Sequence, residues 1–519
     1  MPSASRGSAN GHDGETAKTT IAFEAGDPEN PYNWSRAKKL WIVFLGTITT
    51  LNSTVASALP SGDSDQLQRH FHVTVDAQLV LPNSTFLIGY VLGPFLFAPL
   101  SEQHGRRYII LLTYSAFTIF MMATALAPNW TAFLFFRMLA GLFASTPISN
   151  TGGLYADVYG DPVYRGRAMA WYLAVAGAGP CLGPIPSGYL EQFGWRWTFW
   201  FGLILAGSCL VPLFFLPETY GPAILMRKAK RMRKQNPGSN VYAPLELQHL
   251  GAQQFISKVL GRPLRMLVAE PIVSATCLYL SLIYAVIFML FQAYPIVFSI
   301  YNFTPGEVGL AFLPIVVGSF LALVPVIYWD YYLRSAKQKN KPWSSKEEYQ
   351  RLPLGVLGGP LFSIGMFWIG WGTKQDHWIV PMLGGIPLGF GFVLIFIALF
   401  NYLVDSYKIY SASALGATSI SRSTFGVVLP FAAKPMFRTL GVAWAASLLG
   451  FLSLVMCLIP PLFIRFGEGL RGRSPICQEL AKGSGAKQPE KEAADEEMNS
   501  REMTDEEKSD EGKNEEDKS

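Results

Sequence analysis

The chain has 519 residues, of which 50% are hydrophobic and only 15% are charged. Soluble globular domains carry about 25% charged residues to solvate their surface, so this composition argues against a soluble enzyme and favours a membrane protein. Residues 479–519 hold 15 acidic and 7 basic residues, so the net charge of +5 is the sum of −8 in this segment and +13 in the rest of the chain. Neither part resembles a nucleic-acid-binding domain.

Twelve segments are apolar over the roughly 20 residues that a helix needs to cross a hydrocarbon core of about 30 Å. In the first half they are 39–59, 81–100, 108–128, 131–156, 166–190 and 196–216. In the second half they are 270–294, 306–330, 354–373, 377–403, 409–434 and 440–466. The sequence therefore predicts an all-α integral membrane protein with six-helix bundles at 39–216 and 270–466, joined by a central loop at 217–269.

The positions of Lys and Arg predict the orientation, because bases that flank short loops are retained on the cytoplasmic side. If the N-terminus is cytoplasmic, few bases fall outside, namely Arg69, Arg196, Lys374, Lys434 and Arg438. Residues 1–38 and 467–519 are thus expected to be cytoplasmic tails. The first 25 and the final forty residues are polar and predicted to be disordered, because they bury too little apolar surface. A basic run at 226–234 suits either anionic lipid or a solvated topology signal.

The link between the second and third predicted spans, residues 98–107, reads A-P-L-S-E-Q-H-G-R-R. An acid at the membrane edge can pair with a base four residues on, which predicts an ion pair between Glu102 and Arg106. The segment resembles motif A of the major facilitator superfamily, although Ala98 and Gln103 depart from the pattern. The resemblance implies a conformational gate formed by Glu102, Gly105, Arg106 and Arg107.

The fourth predicted span contains Arg137, a charge inside hydrocarbon that costs about 2.5 kcal/mol or more unless it faces a polar cavity or a carbonyl group. Its spacing from Gly141 resembles motif B of the superfamily, which is associated with proton coupling. A structural arginine bonded to neighbouring backbone is the alternative.

The fifth predicted span is rich in glycine and proline between residues 177 and 188, which predicts a kinked, closely packed helix. It resembles motif C, a signature of exporters in this superfamily. The matching positions are Gly179, Pro180, Gly183 and Pro184, and Ser187 is a departure.

Further segments at 26–35, 195–201, 217–220, 401–407 and 421–423 narrow the resemblance to fungal twelve-span drug:proton antiporters, over about residues 26–475. This resemblance implies a monomeric secondary active transporter that exports drugs, toxins or secondary metabolites by rocker-switch exchange with protons. The proton gradient would supply the energy, with no cofactor. Its partners would be a small organic substrate, protons and membrane lipid. Proton-coupled uptake and a non-transporting membrane sensor are the alternatives.

In the superfamily, the first, fourth, seventh and tenth spans line a central cavity. The corresponding candidates for substrate contact are Asn52, Arg137, Asn150, Tyr284, Phe288, Gln292 and Asn401. No acid lies in the middle of a predicted span, so Arg137, Asp157 and Asp405 are the candidates for proton coupling, with a structural N-cap or an inter-helix clamp as the alternative for the two acids. The shortage of acids favours neutral or anionic substrates over polyamines.

The sequence does not favour an enzyme, because it contains no His-Glu-x-x-His, Walker A or Gly-x-Ser-x-Gly motif. His70 and His72 have no further ligands nearby in the sequence, so no metal site is predicted. Asn302 and Asn129 are possible glycosylation sites in outside loops, and Asn302 is the better candidate. We expect a multi-pass protein of the cell membrane rather than the vacuolar membrane.

Overall fold

The computed structural model describes residues 19–24, 26–236, 240–247, 261–374, 377–407, 410–474, 476 and 478. The predictions of disorder for residues 1–18 and 479–519 lie outside these residues. Within them, the fold is almost entirely helical. Apolar side chains such as Ile204 and Val324 remain about two-thirds exposed on its outer surface, as expected for a surface that faces lipid.

The first half and the central loop contain eleven helices. They are α1 Arg36–Ala58, α2 Ser64–His70, α3 Leu81–His104, α4 Arg106–Ala125, α5 Trp130–Val158, α6 Pro162–Leu182, α7 Pro184–Leu190, α8 Trp195–Leu213, α9 Gly221–Gln235, α10 Pro244–Leu247 and α11 Arg262–Ala269. This count, like the next, covers only the described residues.

The described second half contains ten helices. They are α12 Pro271–Phe298, α13 Pro305–Leu310, α14 Leu313–Leu321, α15 Leu323–Gln338, α16 Glu347–Gly372, α17 Ile379–Leu383, α18 Gly385–Tyr407, α19 Ser411–Val428, α20 Pro430–Met456 and α21 Ile459–Arg473. Proline and glycine divide several predicted spans, so that the fifth span comprises α6 and α7 and the eighth comprises α13, α14 and α15.

In the described part of the chain, eleven helical segments are long and apolar enough to cross a membrane, rather than twelve. The difference lies in the predicted eleventh span, 409–434, because its helix α19, which is rich in Ser and Thr and contains Arg422, is not among these apolar segments. The last segment, Pro430–Gly472, has 43 residues, which would make a straight helix of about 65 Å, twice the length of one crossing. Gly441 interrupts it with φ 74° and ψ 163°, a conformation that glycine adopts without strain. The predicted twelfth span, 440–466, therefore begins at this glycine.

Two boundaries and the content of the central loop differ from the sequence prediction. Thr19–Thr20 pairs in parallel with Val241–Tyr242, so ordered chain begins within the predicted N-terminal disorder. Helix α21 continues to Arg473, beyond the predicted boundary at 466. The predicted central loop contains the helix α9, and four of its bases pair with acids of this chain, for example Lys228 with Asp27 at 2.7 Å.

Each half forms a helical bundle, and a few helix pairs join the two halves. In the first half α3 packs closely on α5, and in the second α16 packs on α18. Between the halves, α3 packs on α19, α6 packs on α14, and α7 packs on α13. The space between the halves is therefore bounded by helices from both.

Small residues permit the close approach of α3 and α5. A Cβ on Gly141 would overlap the backbone carbonyl of Phe86, and one on Gly89 would overlap the backbone of Leu142. Without a hydrophobic driving force between helices in lipid, such contacts supply much of the packing energy. The two glycines therefore set the distance between these helices.

We expect Gly141→Ala to destabilise the folded protein by about 1–3 kcal/mol, because the added methyl group forces the α3 backbone away from α5. Gly207→Ala is the matched control, since a Cβ at that helical position meets nothing within 4 Å. The thermal midpoints of both variants are measured in detergent, by monitoring the loss of the monodisperse peak in size-exclusion chromatography as the temperature rises. Equal midpoints for the two variants would contradict this packing argument.

Candidate functional site

The two halves meet closely at one face of the molecule, which we call the distal face and which the sequence predicts to be extracellular. There, Gly188 of α7 packs against the backbone of Pro305 in α13, and Gly306 packs against the ring of Tyr189. Two polar contacts reinforce this closure. Arg438 donates to Asp76 at 2.6 Å, and the Ser84 hydroxyl donates to the Val427 carbonyl at 3.0 Å.

At the opposite face, called the proximal face, contacts between the halves are sparse. Among the described residues, a single ion pair joins the halves there, between Arg167 and Asp330 at 3.9 Å. Asp330 also accepts from Arg334 at 2.6 Å, a pair four residues apart within one helix. The halves are thus joined more extensively at the distal face than at the proximal face.

Between the two faces, Arg422 of α19 brings a positive charge to the interface of the halves. Its guanidinium lies 4.9 Å from the ring centroid of Tyr284 and 5.7 Å from that of Phe396. Its Nε is buried and has no hydrogen-bond partner among the described residues. The charge also lies within electrostatic reach of Tyr90 and Tyr172 in the first half. A cation without an acid partner is a ready site for an anionic or carbonyl-bearing ligand.

The structure brings two of the predicted cavity residues to this centre. Tyr284 lies beneath Arg422, and the ring of Phe288 is 4.9 Å from that of Tyr284. Gln292 is buried farther along the same helix, α12, and Asn401 is half-buried in α18. These four residues belong to the second half.

The predicted polar residues of the first half lie inside its bundle. The Asn52 amide donates to the Tyr114 hydroxyl at 2.6 Å, and Asn150 accepts from Ser101 at 3.4 Å. Both asparagines are almost completely buried. In this conformation they contact helices of their own half, and their contact with substrate stays a prediction.

Arg137 is fully buried, and the carbonyl partners that the sequence offered as one alternative are present. Its Nε donates to the Pro82 carbonyl at 3.1 Å, and its two terminal nitrogens donate to Ala56 at 3.0 Å and Ser57 at 3.2 Å. The ring of Phe86 lies 4.4 Å away. The guanidinium thus joins α1, α3 and α5, and its role in proton coupling or substrate contact stays a prediction.

At the proximal face, the motif A-like segment forms a charged cluster that differs from the predicted pair. Glu102 is exposed, whereas Arg106 is buried and donates to Asp157 at 2.9 Å, not to Glu102. The backbone N–H of Arg106 donates to Glu218 at 2.8 Å. The prediction of a Glu102–Arg106 ion pair is therefore wrong, because the turn at Gly105 directs Arg106 into the bundle toward α5.

The turn itself requires glycine. Gly105 has φ 96°, and a Cβ there would overlap the carboxylate of Glu218. Arg107 follows on the exposed side and donates to the Phe214 carbonyl at 3.3 Å. The predicted gate residues thus separate into a buried part, Gly105 and Arg106, and an exposed part, Glu102 and Arg107.

The second half has a comparable acid–base arrangement at its proximal end. Asp405 of α18 accepts from Arg351 of α16 at 2.7 Å. Arg471 pairs with both Glu347 and Glu348. Asp157 and Asp405, the two predicted coupling acids, are therefore both engaged by arginines that join neighbouring helices, the arrangement that the sequence offered as the alternative.

The motif C-like residues shape the contact between α6 and α1. Gly179 faces Thr54 so closely that a Cβ would overlap its hydroxyl, and Gly183 faces the Val55 carbonyl. Pro180 lies in the last turn of α6, and Pro184 begins α7, so the helix breaks between them, as the sequence predicts. This break directs α7 toward α13 at the distal face.

Of the two predicted glycosylation sites, Asn129 uses its side chain to cap α5, accepting from the Ala132 N–H at 2.8 Å. Asn302 is exposed in a left-handed conformation between α12 and α13. Modification of either stays a prediction.

The comparison with known proteins identifies the family. The model of the Major Facilitator Superfamily matches residues 42–430. The chain belongs to this superfamily. It is 37% identical over 463 residues to an MFS-type efflux pump, MFS2, of Trichophyton rubrum, covering 87% of this chain and 76% of the relative. It is 34% identical over 494 residues to the major facilitator superfamily multidrug transporter mdrA of Aspergillus fumigatus, covering 92% and 80%.

Solved structures support the fold. A partially occluded, inward-open conformation of the xylose transporter XylE from E. coli matches with a TM-score of 0.58 and 17% identity, covering 82% of this chain and 99% of that one. The human organic anion transporter MFSD10 matches with a TM-score of 0.55 and 18% identity, covering 82% and 100%. Membership of the superfamily makes this chain a secondary transporter and not an enzyme, and its relatives are named as an efflux pump and a multidrug transporter.

Two charges of the site, the half-buried Arg422 and the fully buried Asp63, were not predicted from the sequence. Arg422 entered only as part of a family segment, although a base within an apolar span is itself a signal for a functional site. Asp63 was missed because it lies just beyond the predicted end of the first span, where an acid is ordinarily solvated.

We expect Arg137→Lys to destabilise the protein by about 1–3 kcal/mol, because one ammonium group cannot reach carbonyls on both α1 and α3. Arg465→Lys, an exposed position on α21, is the control and should leave the thermal midpoint unchanged. An unchanged midpoint for Arg137→Lys, together with lost gradient-driven transport, would instead favour the coupling role.

Proposed function

We propose that this transporter exports small amphipathic organic compounds from the cytoplasm in exchange for protons. Its relatives are named as an efflux pump and a multidrug transporter, and the motif C-like break in the fifth span agrees with export. We further propose that it acts as a monomer in the cell membrane with both tails cytoplasmic, in accord with the distribution of bases along the sequence.

The unpaired guanidinium of Arg422 is the observation from which we infer the substrate class. It lies at the interface of the halves among aromatic rings from α12 and α18. Such a surface suits a molecule with an aromatic or aliphatic body and a carboxylate, phenolate or carbonyl group. A polyamine would meet a like charge there, because no described acid pairs with Arg422.

The contacts that join the halves support the proposed rocker-switch movement. The distal contacts between α7 and α13 involve glycines, backbone and the Tyr189 ring, and a single long ion pair joins the halves at the proximal face among the described residues. Two rigid bundles can exchange these contacts at low cost, which exposes the centre to one face at a time. Asp157 and Asp405 remain the proposed coupling acids of the proximal ends.

Proteoliposomes with a defined pH gradient test the exchange. We expect efflux activity toward a fluorescent aromatic carboxylic acid to rise several-fold when protons flow against the substrate, and to collapse with a protonophore. Empty liposomes are the control. Transport that ignores the gradient would overturn the antiport proposal, and accumulation in the same direction as the protons would favour the uptake alternative.

Arg422→Gln tests the substrate class. We expect transport of an aromatic carboxylic acid to fall about tenfold or more, which corresponds to the loss of one charge-assisted contact, while its neutral carboxamide is affected little. Arg465→Gln removes the same charge from an exposed position and is the matched control. Equal losses for the acid and the amide would contradict a charge-reading role for Arg422.

A further inference from the structure

Asp63 is a fully buried acid between the end of the first span and the start of α2. It occupies the N-cap position of α2, where an aspartate ordinarily accepts a hydrogen bond from the helix, but its side chain makes no such bond. Neither carboxylate oxygen has a hydrogen-bond partner among the described residues. A buried carboxylate in this situation is costly in its charged form and far less so when protonated.

The surroundings disfavour the negative charge further. Burial, followed by the nearby charge of Glu191 at the end of α7, raises the pKa of Asp63 to about 8. Asp65 on α2 adds to this effect, and the Thr198 hydroxyl of α8 opposes it only in part. The other charged groups on the surrounding elements are Arg69 and His70 on α2, Arg196 on α8 and Glu307 on α13. None of the described bases forms an ion pair with Asp63.

Asp63 directly follows a turn that the second half contacts at the closed distal face. The preceding residue, Gly62, packs against Ser187 and the backbone of Gly188 in α7. Gly188 in turn packs against Pro305 of the second half, and the turn Leu59–Gly62 itself contacts α13. Separation of the halves at this face would remove α13 from the turn and admit water beside Asp63.

We propose that Asp63 is a proton-binding site that couples extracellular pH to closure of the distal face, an inference that rests on the proton exchange proposed above. With the face closed, the carboxyl group holds its proton. When the face opens, the proton passes to water and leaves a hydrated carboxylate. Protons arriving from outside bind this carboxylate and favour the closed form, which directs the centre toward the cytoplasm.

The sign of the pH effect follows directly. The closed form raises the pKa of Asp63 above its ordinary value, so the closed form binds the proton more tightly than the open form. Proton binding to Asp63 therefore stabilises the closed form fully below the ordinary pKa of an aspartate. This stabilisation declines as the pH rises from there through about 8.

Distance measurements across the distal face test this inference. Spin labels at Phe193→Cys and Ile300→Cys, exposed positions in opposite halves, report opening in full-length protein whose five native cysteines are replaced by alanine. We expect the long-distance population to grow between pH 6 and pH 9, by roughly several-fold, in the otherwise unchanged protein. With Asp63→Asn, which mimics the protonated side chain, we expect the closed population to persist at pH 9.

Asp65→Asn is the matched control. It removes the same charge from a side chain that is exposed and lies two residues after Asp63. It should retain the pH response with a small shift of the midpoint to lower pH. A second measurement needs no cysteines: the thermal midpoint of the otherwise native protein should fall between pH 6 and pH 9, and this fall should shrink in Asp63→Asn. A pH response identical in Asp63→Asn and the parent, by either measurement, would overturn the inference.

These outcomes are separable from the fate of the proposed function. The distance and stability measurements need neither substrate nor a gradient, so they assign the proton site even if transport proves to be uncoupled. Conversely, gradient-driven export together with an unaltered pH response in Asp63→Asn would support the proposed exchange and show that Asp63 is not its proton-binding site.

Discussion

The cost of holding a charge away from water is the constraint on which this structure depends. Arg137 meets it by donating to three carbonyls on two helices, so that one side chain fixes the relation of α1, α3 and α5. Arg106 meets it through Asp157 and Ser101 at the proximal face. A compensated charge of this kind stabilises the fold wherever it lies, because moving either partner exposes the other to an unfavourable environment.

Charges without such compensation have a different meaning. Arg422 has a buried nitrogen without a hydrogen-bond partner and no acid nearby in an ion pair, and Asp63 has two such oxygens, within the described residues. A fold tolerates these groups when something else satisfies them during its working cycle. For Arg422 that would be the substrate, and for Asp63 a proton. The two groups lie in different halves, so each can respond to a different event.

The sequence predicts the spans well, because twenty consecutive apolar residues have few other uses, and it predicts the break at Gly183 from local proline and glycine chemistry. It predicts partners poorly. Glu102 is the acid nearest to Arg106 along the chain, yet the turn at Gly105 directs Arg106 to a partner on another helix, Asp157. Similarly, Asn52 is on a cavity-lining helix but faces Tyr114 inside its own bundle. Helix rotation decides both cases, and an apolar span with weak periodicity does not reveal it.

Depth in the bilayer was an incomplete guide to the coupling acids. No predicted span has an acid at its centre. The middle of the membrane is, however, not the only place in a transporter from which water is excluded. In the mechanism proposed for Asp63, the closed distal face is also dry, because α7 and α13 contact the turn that precedes this residue. This second kind of dryness is conditional, because it lasts only while the halves stay together. An acid in a permanently dry site binds its proton in every conformation and carries no information, whereas one in a conditionally dry site ties proton affinity to conformation, as exchange requires.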